Sequence, residues 1–180
     1  MKKITLIILA VLFMAMPVLT YAQQESSPKE EPKEEKKISY SFINEYGFYA
    51  GGTVGFAGVF VNGIRFNKTQ DLIGIGLGYE FDIRAGQSMP IYVNYRHYFS
   101  HKKILKPLIN VGVGARLIFD DYYCYDCWSD GPSITVMPGL YATIAGGFKV
   151  KAFTFTSGAF LKSVQEDFYA GFEVKAGFTF

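Results

Sequence analysis

From about residue 45 to its last residue the chain repeats one pattern, in which apolar residues alternate with polar or small ones at a period of two. At the C-terminus Phe168, Ala170, Phe172, Val174, Ala176, Phe178 and Phe180 fall on one phase, and Tyr169, Gly171, Glu173, Lys175, Gly177 and Thr179 on the other. Two earlier segments behave alike. Ile73, Ile75, Leu77, Tyr79, Phe81 and Ile83 oppose Gly74, Gly76, Gly78, Glu80, Asp82 and Arg84. Ile109, Val111, Val113, Ala115, Leu117 and Phe119 oppose Asn110, Gly112, Gly114, Arg116 and Ile118. Successive side chains of a strand point to opposite faces, so this period predicts strands with one continuous apolar face, and no segment here shows a helical period. Eight strands are expected, at about 46–57, 59–67, 72–83, 90–99, 107–119, 134–149, 152–162 and 168–180. Most reach the ~9–11 residues that a tilted strand needs to cross a bilayer. The second departs from the pattern because Asn62 falls on its apolar phase, and a bulge or an early turn there would repair it.

Eight up-and-down strands make either a soluble, lipocalin-like barrel with its apolar face inward or a membrane barrel with that face outward. A soluble barrel needs a charged exterior, whereas the non-apolar phase here is built from Gly51, Gly55, Gly74, Gly76, Gly78, Gly112, Gly114, Gly147, Gly158, Gly171 and Gly177 with a few charges. Small residues suit a crowded interior, since eight strands leave room for side chains and little else. The charges on that phase, Arg65, Glu80, Asp82, Arg96, Arg116, Glu173 and Lys175, are mixed in sign. Paired across the lumen they would plug it; a proton or solute path is the other reading. Aromatic residues gather at strand ends, as Phe48, Phe60, Phe66, Phe81, Tyr98, Phe99, Phe119, Tyr122, Phe148 and Phe168 illustrate, which is where interfacial girdles belong.

The N-terminus places Lys2 and Lys3 before an apolar stretch from Ile4 to Met16, then Pro17 and a small residue at Ala22. Residues 1–22 are therefore expected to be a cleaved secretory signal; the stretch is short of the ~20 residues of a spanning helix. No Cys follows the cut, so lipoprotein processing has no acceptor. Residues 23–44 are expected to be a disordered tether, because Gln23 to Lys37 is rich in Glu, Lys and Pro and carries nothing to bury. The barrel is then assigned to residues 45–180. Removing the signal takes two lysines and no acids from a chain with 18 basic and 16 acidic residues, leaving net charge zero. A neutral chain without a basic stripe gives no support for nucleic-acid binding.

A terminal Phe closing an alternating strand resembles the signature by which Gram-negative outer-membrane barrels are recognised for assembly, and Phe178 and Phe180 match it. Together with the signal peptide and eight strands, this ending resembles the small outer-membrane β-barrel domain proteins typified by the OmpA and OmpX barrels. Residues 95–119, YRHYFSHKKILKPLINVGVGARLIF, look like the strand, turn, Pro and Gly-rich strand of Bacteroidetes members of that class. The resemblance implies an all-β, eight-stranded antiparallel transmembrane barrel in outer-membrane lipid, delivered by the barrel assembly machinery through its C-terminal strand. It also implies that both termini and the tether are periplasmic. Connections 1, 3, 5 and 7 then face outward, which sends the longest, Asp120 to Ser133, to the cell surface, and NKTQD, SHKKILK and KVKA to the periplasm. The outer end becomes acidic and the inner end basic, with Lys102, Lys103, Lys106, Lys149 and Lys151.

That long connection holds both cysteines, Cys124 and Cys127. A lone C-x-x-C without a following helix is a poor redox motif, and outside the cytoplasm a local disulfide is the expected state. The loop has no His and no second Cys pair for zinc, and its acids do not match a calcium loop. No metal or cofactor is expected. Tyr122, Tyr123, Tyr125 and Trp128 stand among Asp120, Asp121, Asp126 and Asp130, either as a binding surface for an extracellular ligand or protein or as an extension of the girdle. Only His97 and His101 are present as histidine bases, and His97 and Ser100 lie three apart, which alternation sends to opposite faces. No catalytic residue is therefore assigned. The sequence points to a non-enzymatic barrel with a structural or surface-binding role; a narrow, porin-like channel and a lipid-modifying enzyme are the alternatives.

Overall fold

The computed structural model describes residues 37–83, 86–100, 104–122, 133–164 and 167–180. These form β1 (Ile38–Gly51), β2 (Val54–Phe66), β3 (Asp71–Asp82), β4 (Gly86–Tyr98), β5 (Leu105–Tyr122), β6 (Ser133–Val150), β7 (Phe153–Val164) and β8 (Asp167–Thr179). Each strand pairs antiparallel with its sequence neighbour, and β8 pairs with β1 to close an eight-stranded barrel. Closure leaves no sheet edge, so the backbone bonds of the strands are satisfied within the wall, as a hydrocarbon solvent requires. Phe180 seals the seam: its amide donates to the Phe42 carbonyl at 2.8 Å and its carbonyl accepts from the Phe42 amide at 3.0 Å. One end of the barrel, here the terminal end, carries Phe180 and the connections 67–70, 99–104 and 151–152. The opposite end, the loop end, carries 52–53, 83–85, 123–132 and 165–166.

Several strand limits differ from those read in the sequence. β1 begins at Ile38, so residues 38–44, assigned above to the tether, pair with β2 from Ile38↔Phe66 onward. Serines at 39 and 41 make the inward phase of this segment too polar to look like a strand without its partner. The long connection shrinks to 123–132, because Asp120↔Thr135, Asp121↔Ile134 and Tyr122↔Ser133 continue the β5–β6 ladder. Asn62 causes neither a bulge nor an early turn: the β2 register runs through it on both sides. Its side chain faces outward near the terminal end and accepts a hydrogen bond from the Tyr40 hydroxyl. Tyr98 does not join a girdle; it faces the lumen and is buried, because Asn94 and Arg96 set the inward phase of β4. Residues 1–36, which hold the expected signal and most of the expected tether, lie outside the described residues, as do Arg84, His101, Lys102 and Lys103.

The apolar phase faces outward all round the barrel. Ile75, Val93, Ile144 and Phe172 are all more than half exposed, and Phe172 reaches 75%. A soluble monomer rarely exposes an apolar patch above a few hundred Å², so this continuous apolar wall suits lipid and excludes the lipocalin-like arrangement. Aromatic pairs mark both ends, Phe48 against Phe56 near the loop end and Phe153 against Phe178 near the terminal end.

Inside, glycines make room for rings. Tyr92 leans across the lumen onto Tyr141, with centroids 4.9 Å apart, in a cluster with Ile43, Val61, Leu72, Tyr98 and Leu108. A Cβ at Gly76 would lie 2.3 Å from Cζ of Tyr92. The variant Gly76→Val is expected to lose about 1–3 kcal/mol in urea unfolding, the usual cost of overpacking. Adding Tyr92→Leu should return most of that loss, and a double variant no more stable than the single would refute the packing account.

Candidate functional site: the charged lumen

Period-2 alternation on eight strands sends one residue in two inward, and in this chain that phase carries ionisable groups at several depths. Near the loop end Glu80 of β3 accepts from Lys162 Nζ of β7 at 2.8 Å and lies 3.2 Å from Arg116 Nε of β5. Arg116 also lies 3.7 Å from Asp82 and donates to the Ser88 hydroxyl at 2.8 Å and to the Tyr169 hydroxyl. The Lys162 ammonium rests on rings, 3.5 Å from the Tyr49 centroid and 4.6 Å from that of Phe160. Such cation–π contacts supply part of the hydration that a buried ammonium has lost. Tyr49 and Thr53 both hydrogen-bond to Asp82.

A second layer spans the barrel from β1 to β4. Arg96 meets Glu45 as a planar bidentate pair, Nη1 to Oε1 at 2.7 Å and Nη2 to Oε2 at 2.8 Å. Its Nε donates to Asn94 Oδ1 at 3.1 Å, and Asn94 Nδ2 donates in turn to Asn110 Oδ1 at 2.8 Å. Glu173 accepts from Lys175 at 2.8 Å and from the Thr143 hydroxyl. All eight charged groups, Glu45, Glu80, Asp82, Glu173, Arg96, Arg116, Lys162 and Lys175, are at most 3% exposed. Four acids face four bases, so this buried set carries no net charge.

Six of the seven lumen charges named from the sequence stand in this set; the seventh, Arg65, is only half-buried, at the terminal end. Sequence reasoning missed Glu45 and Lys162. Glu45 fell at the assumed edge of the tether, and Lys162 at the assumed end of a strand. Parity along the completed strands was the signal that would have found both, since Glu45 shares a phase with Gly47 and Tyr49, and Lys162 with Phe160. Of the long connection, Asp120, Asp121 and Tyr122 are backbone partners in β5, whereas Tyr123, Cys124, Tyr125, Asp126, Cys127, Trp128 and Asp130 lie outside the described residues.

On the outer wall near the terminal end, His97 Nδ1 lies 2.8 Å from Asp71 Oδ1, which also accepts from the Tyr95 hydroxyl at 2.8 Å. Neither the sequence pattern nor the spacing announced this pair, because Asp71 and His97 meet only through the β3–β4 register. A His and its orienting carboxylate are two parts of a hydrolytic triad, of which a hydroxyl nucleophile would be the third.

No family model and no curated protein matches the chain. Several solved barrels do match its fold. Neisserial surface protein A aligns with a TM-score of 0.55 at 14% identity, over 80% of this chain and 98% of its own. The N-terminal β-barrel domain of Pseudomonas aeruginosa OprF aligns at 0.51 and 14%, over 78% and 97%. The outer membrane enzyme PagL aligns at 0.52 and 15%, over 75% and 97%. At such identities the likeness is one of fold: the closed, eight-stranded antiparallel barrel of small outer-membrane proteins.

Proposed function

We propose that this chain, which has the fold of the small outer-membrane barrels, is a non-enzymatic integral outer-membrane protein with a structural or surface-binding role. A single observation carries the reading: an apolar outer wall encloses a lumen filled by paired charges and packed tyrosines, which favours a packed body over a conduit. In this reading the terminal end and the tether preceding Ile38 face the periplasm. Phe178 and Phe180 present the C-terminal strand to the assembly machinery. The β5–β6 hairpin carries the segment from Asp120 to Asp130 to the cell surface, where Tyr122, Tyr123, Tyr125 and Trp128 meet an extracellular ligand or protein and a Cys124–Cys127 disulfide clips the loop. A hairpin whose paired arms extend past the other loop-end connections is a rigid stalk for such a loop.

The test joins topology to transport. A membrane-impermeant maleimide on intact cells should label Cys124 and Cys127 only after mild reduction, and the purified barrel should add no conductance to a planar bilayer. Labelling confined to lysed cells would overturn the orientation. Steady conductance altered by Arg96→Gln would favour the channel instead. One matched barrel is described as an enzyme, and the Asp71–His97 pair is the feature here that such a reading would use. Altered lipid A in an overexpressing strain, lost in His97→Ala, would replace the proposal with that one.

A further inference from the structure

The eight deeply buried lumen charges cancel, but three more cations point inward at the terminal end: Arg65 of β2, Lys106 of β5 and Lys149 of β6, all half-buried. Lys106 and Lys149 are direct cross-strand partners, and Arg65 and Lys149 lie over one and the same ring. Like charges placed opposite one another destabilise a sheet, so this arrangement works against the fold when nothing neutralises it. Tyr98 gathers them. The Arg65 guanidinium lies 4.8 Å from its ring centroid, and the Lys149 ammonium 5.9 Å.

The polar accounting at this mouth is also incomplete. Arg65 Nη2 donates to the neutral amide of Gln70 at 2.8 Å, and among the described residues no carboxylate forms a salt bridge with Arg65, Lys106 or Lys149. The nearest acid along the lumen, Glu45, is already committed to Arg96. Among the described residues two donors at this mouth stay buried without a partner: Arg65 Nε and the hydroxyl of Tyr98, a residue only 1% exposed. Native proteins seldom leave such groups idle, and a charged donor left unpaired costs more than a neutral one. Everywhere else in the lumen each cation has its carboxylate. Here three cations and two idle donors converge, with no carboxylate paired to them among the described residues.

The geometry points to a binding site for one compact oxyanion, of phosphate or carboxylate chemistry, at the terminal-end mouth of the lumen, held by Arg65, Lys106 and Lys149 with the Tyr98 hydroxyl as a further donor. Guanidinium and ammonium groups in a half-dry mouth bind such oxygens by charge-assisted bonds, and an anion there would also relieve the Lys106–Lys149 repulsion. The inference rests on the proposed orientation only for the compartment that the mouth faces, and a measurement in micelles tests it whichever way the barrel sits.

The experiment is a titration of the full-length mature chain, refolded in zwitterionic micelles, with inorganic phosphate, followed by calorimetry and by the urea midpoint. Saturable binding at one equivalent is expected, with phosphate raising the midpoint. Lys106→Gln and Lys149→Gln should each weaken binding about tenfold or more, the worth of one charge-assisted bond, and abolish the midpoint shift. Lys68→Gln, an exposed lysine in the neighbouring turn, should leave both readings unchanged. The lysine variants remove a repulsion, so they should fold at least as well as the parent chain without phosphate. Displacement of phosphate by phosphatidylglycerol added to the micelle would identify a lipid headgroup as the source of the oxyanion, and no displacement would identify a free one. Absence of saturable binding, or an equal loss in Lys68→Gln, would overturn the site.

Discussion

Glu80→Ala should be among the most damaging single substitutions in this barrel, lowering its stability by about 3–5 kcal/mol, the range measured when one partner of a buried ion pair is removed. The carboxylate is 1% exposed and serves two cations from two other strands, Lys162 at 2.8 Å and Arg116 at 3.2 Å. Arg116 keeps a share of Asp82 at 3.7 Å, but among the described residues Glu80 is the carboxylate that Lys162 meets at salt-bridge distance. Its remaining contacts are ring faces, which offset part of a buried ammonium's desolvation and no more. The loss should appear in urea unfolding from micelles and in the gel mobility of unheated samples. The sharper check is Glu80→Gln with Lys162→Met. Replacing a buried pair by neutral or apolar groups of similar volume is often close to neutral, so the double variant should be markedly more stable than Glu80→Ala. Equal destabilisation of the two chains would show that packing volume, and not uncompensated charge, is what Glu80 supplies.

The second large effect belongs to Arg96→Met, expected to cost a similar ~3–5 kcal/mol by stranding Glu45 in the lumen. The pair is bidentate and at most 1% exposed on either side, so solvent screening takes nothing from it. It is also a strut between β1 and β4, strands that are not neighbours in the wall. Removing the guanidinium further deprives Asn94 of a donor and loosens the Asn94–Asn110 bond that ties β4 to β5. Glu45→Gln alone should cost less, because a neutral amide is cheaper to leave buried than a carboxylate. A double-mutant cycle over Glu45→Gln and Arg96→Met measures the coupling directly, and residues in contact typically couple by about 0.5–3 kcal/mol. Additive losses would mean that the two side chains stabilise the barrel independently, against the geometry.

The two struts and the Tyr92–Tyr141 pair bear on function through one physical point. Opening a path through this lumen means separating opposite charges in a low-dielectric interior, which is costly unless water enters with the solute. A barrel stabilised in this way resists the opening that passage of a solute would need. That is why the proposed role rests on the β5–β6 stalk and not on the interior.

Much of the architecture was legible from alternation. Period 2 is a local property of each strand, so the outward phase of Phe168 to Phe180, the inward phase of Glu80, Asp82 and Arg116, and the antiparallel series need only neighbouring residues to be read. The small residues of the inward phase likewise announced a crowded interior, which Gly76 beneath the Tyr92 ring illustrates. Other features were decided by tertiary structure alone. Serines at 39 and 41 disguised the start of β1 until Phe66 and Arg65 paired with it, and the unbroken register of β2 through Asn62 was settled by β1 and β3. Which acid meets which base depends on barrel closure and stagger, since Glu45 reaches β4 and Glu80 reaches β7 across the lumen, and no spacing along the chain encodes those distances. The same holds for Arg65, Lys106 and Lys149, which belong to three different strands and become one basic mouth only when the sheet curls round to bring Arg65 and Lys149 onto Tyr98, with Lys106 paired beside Lys149.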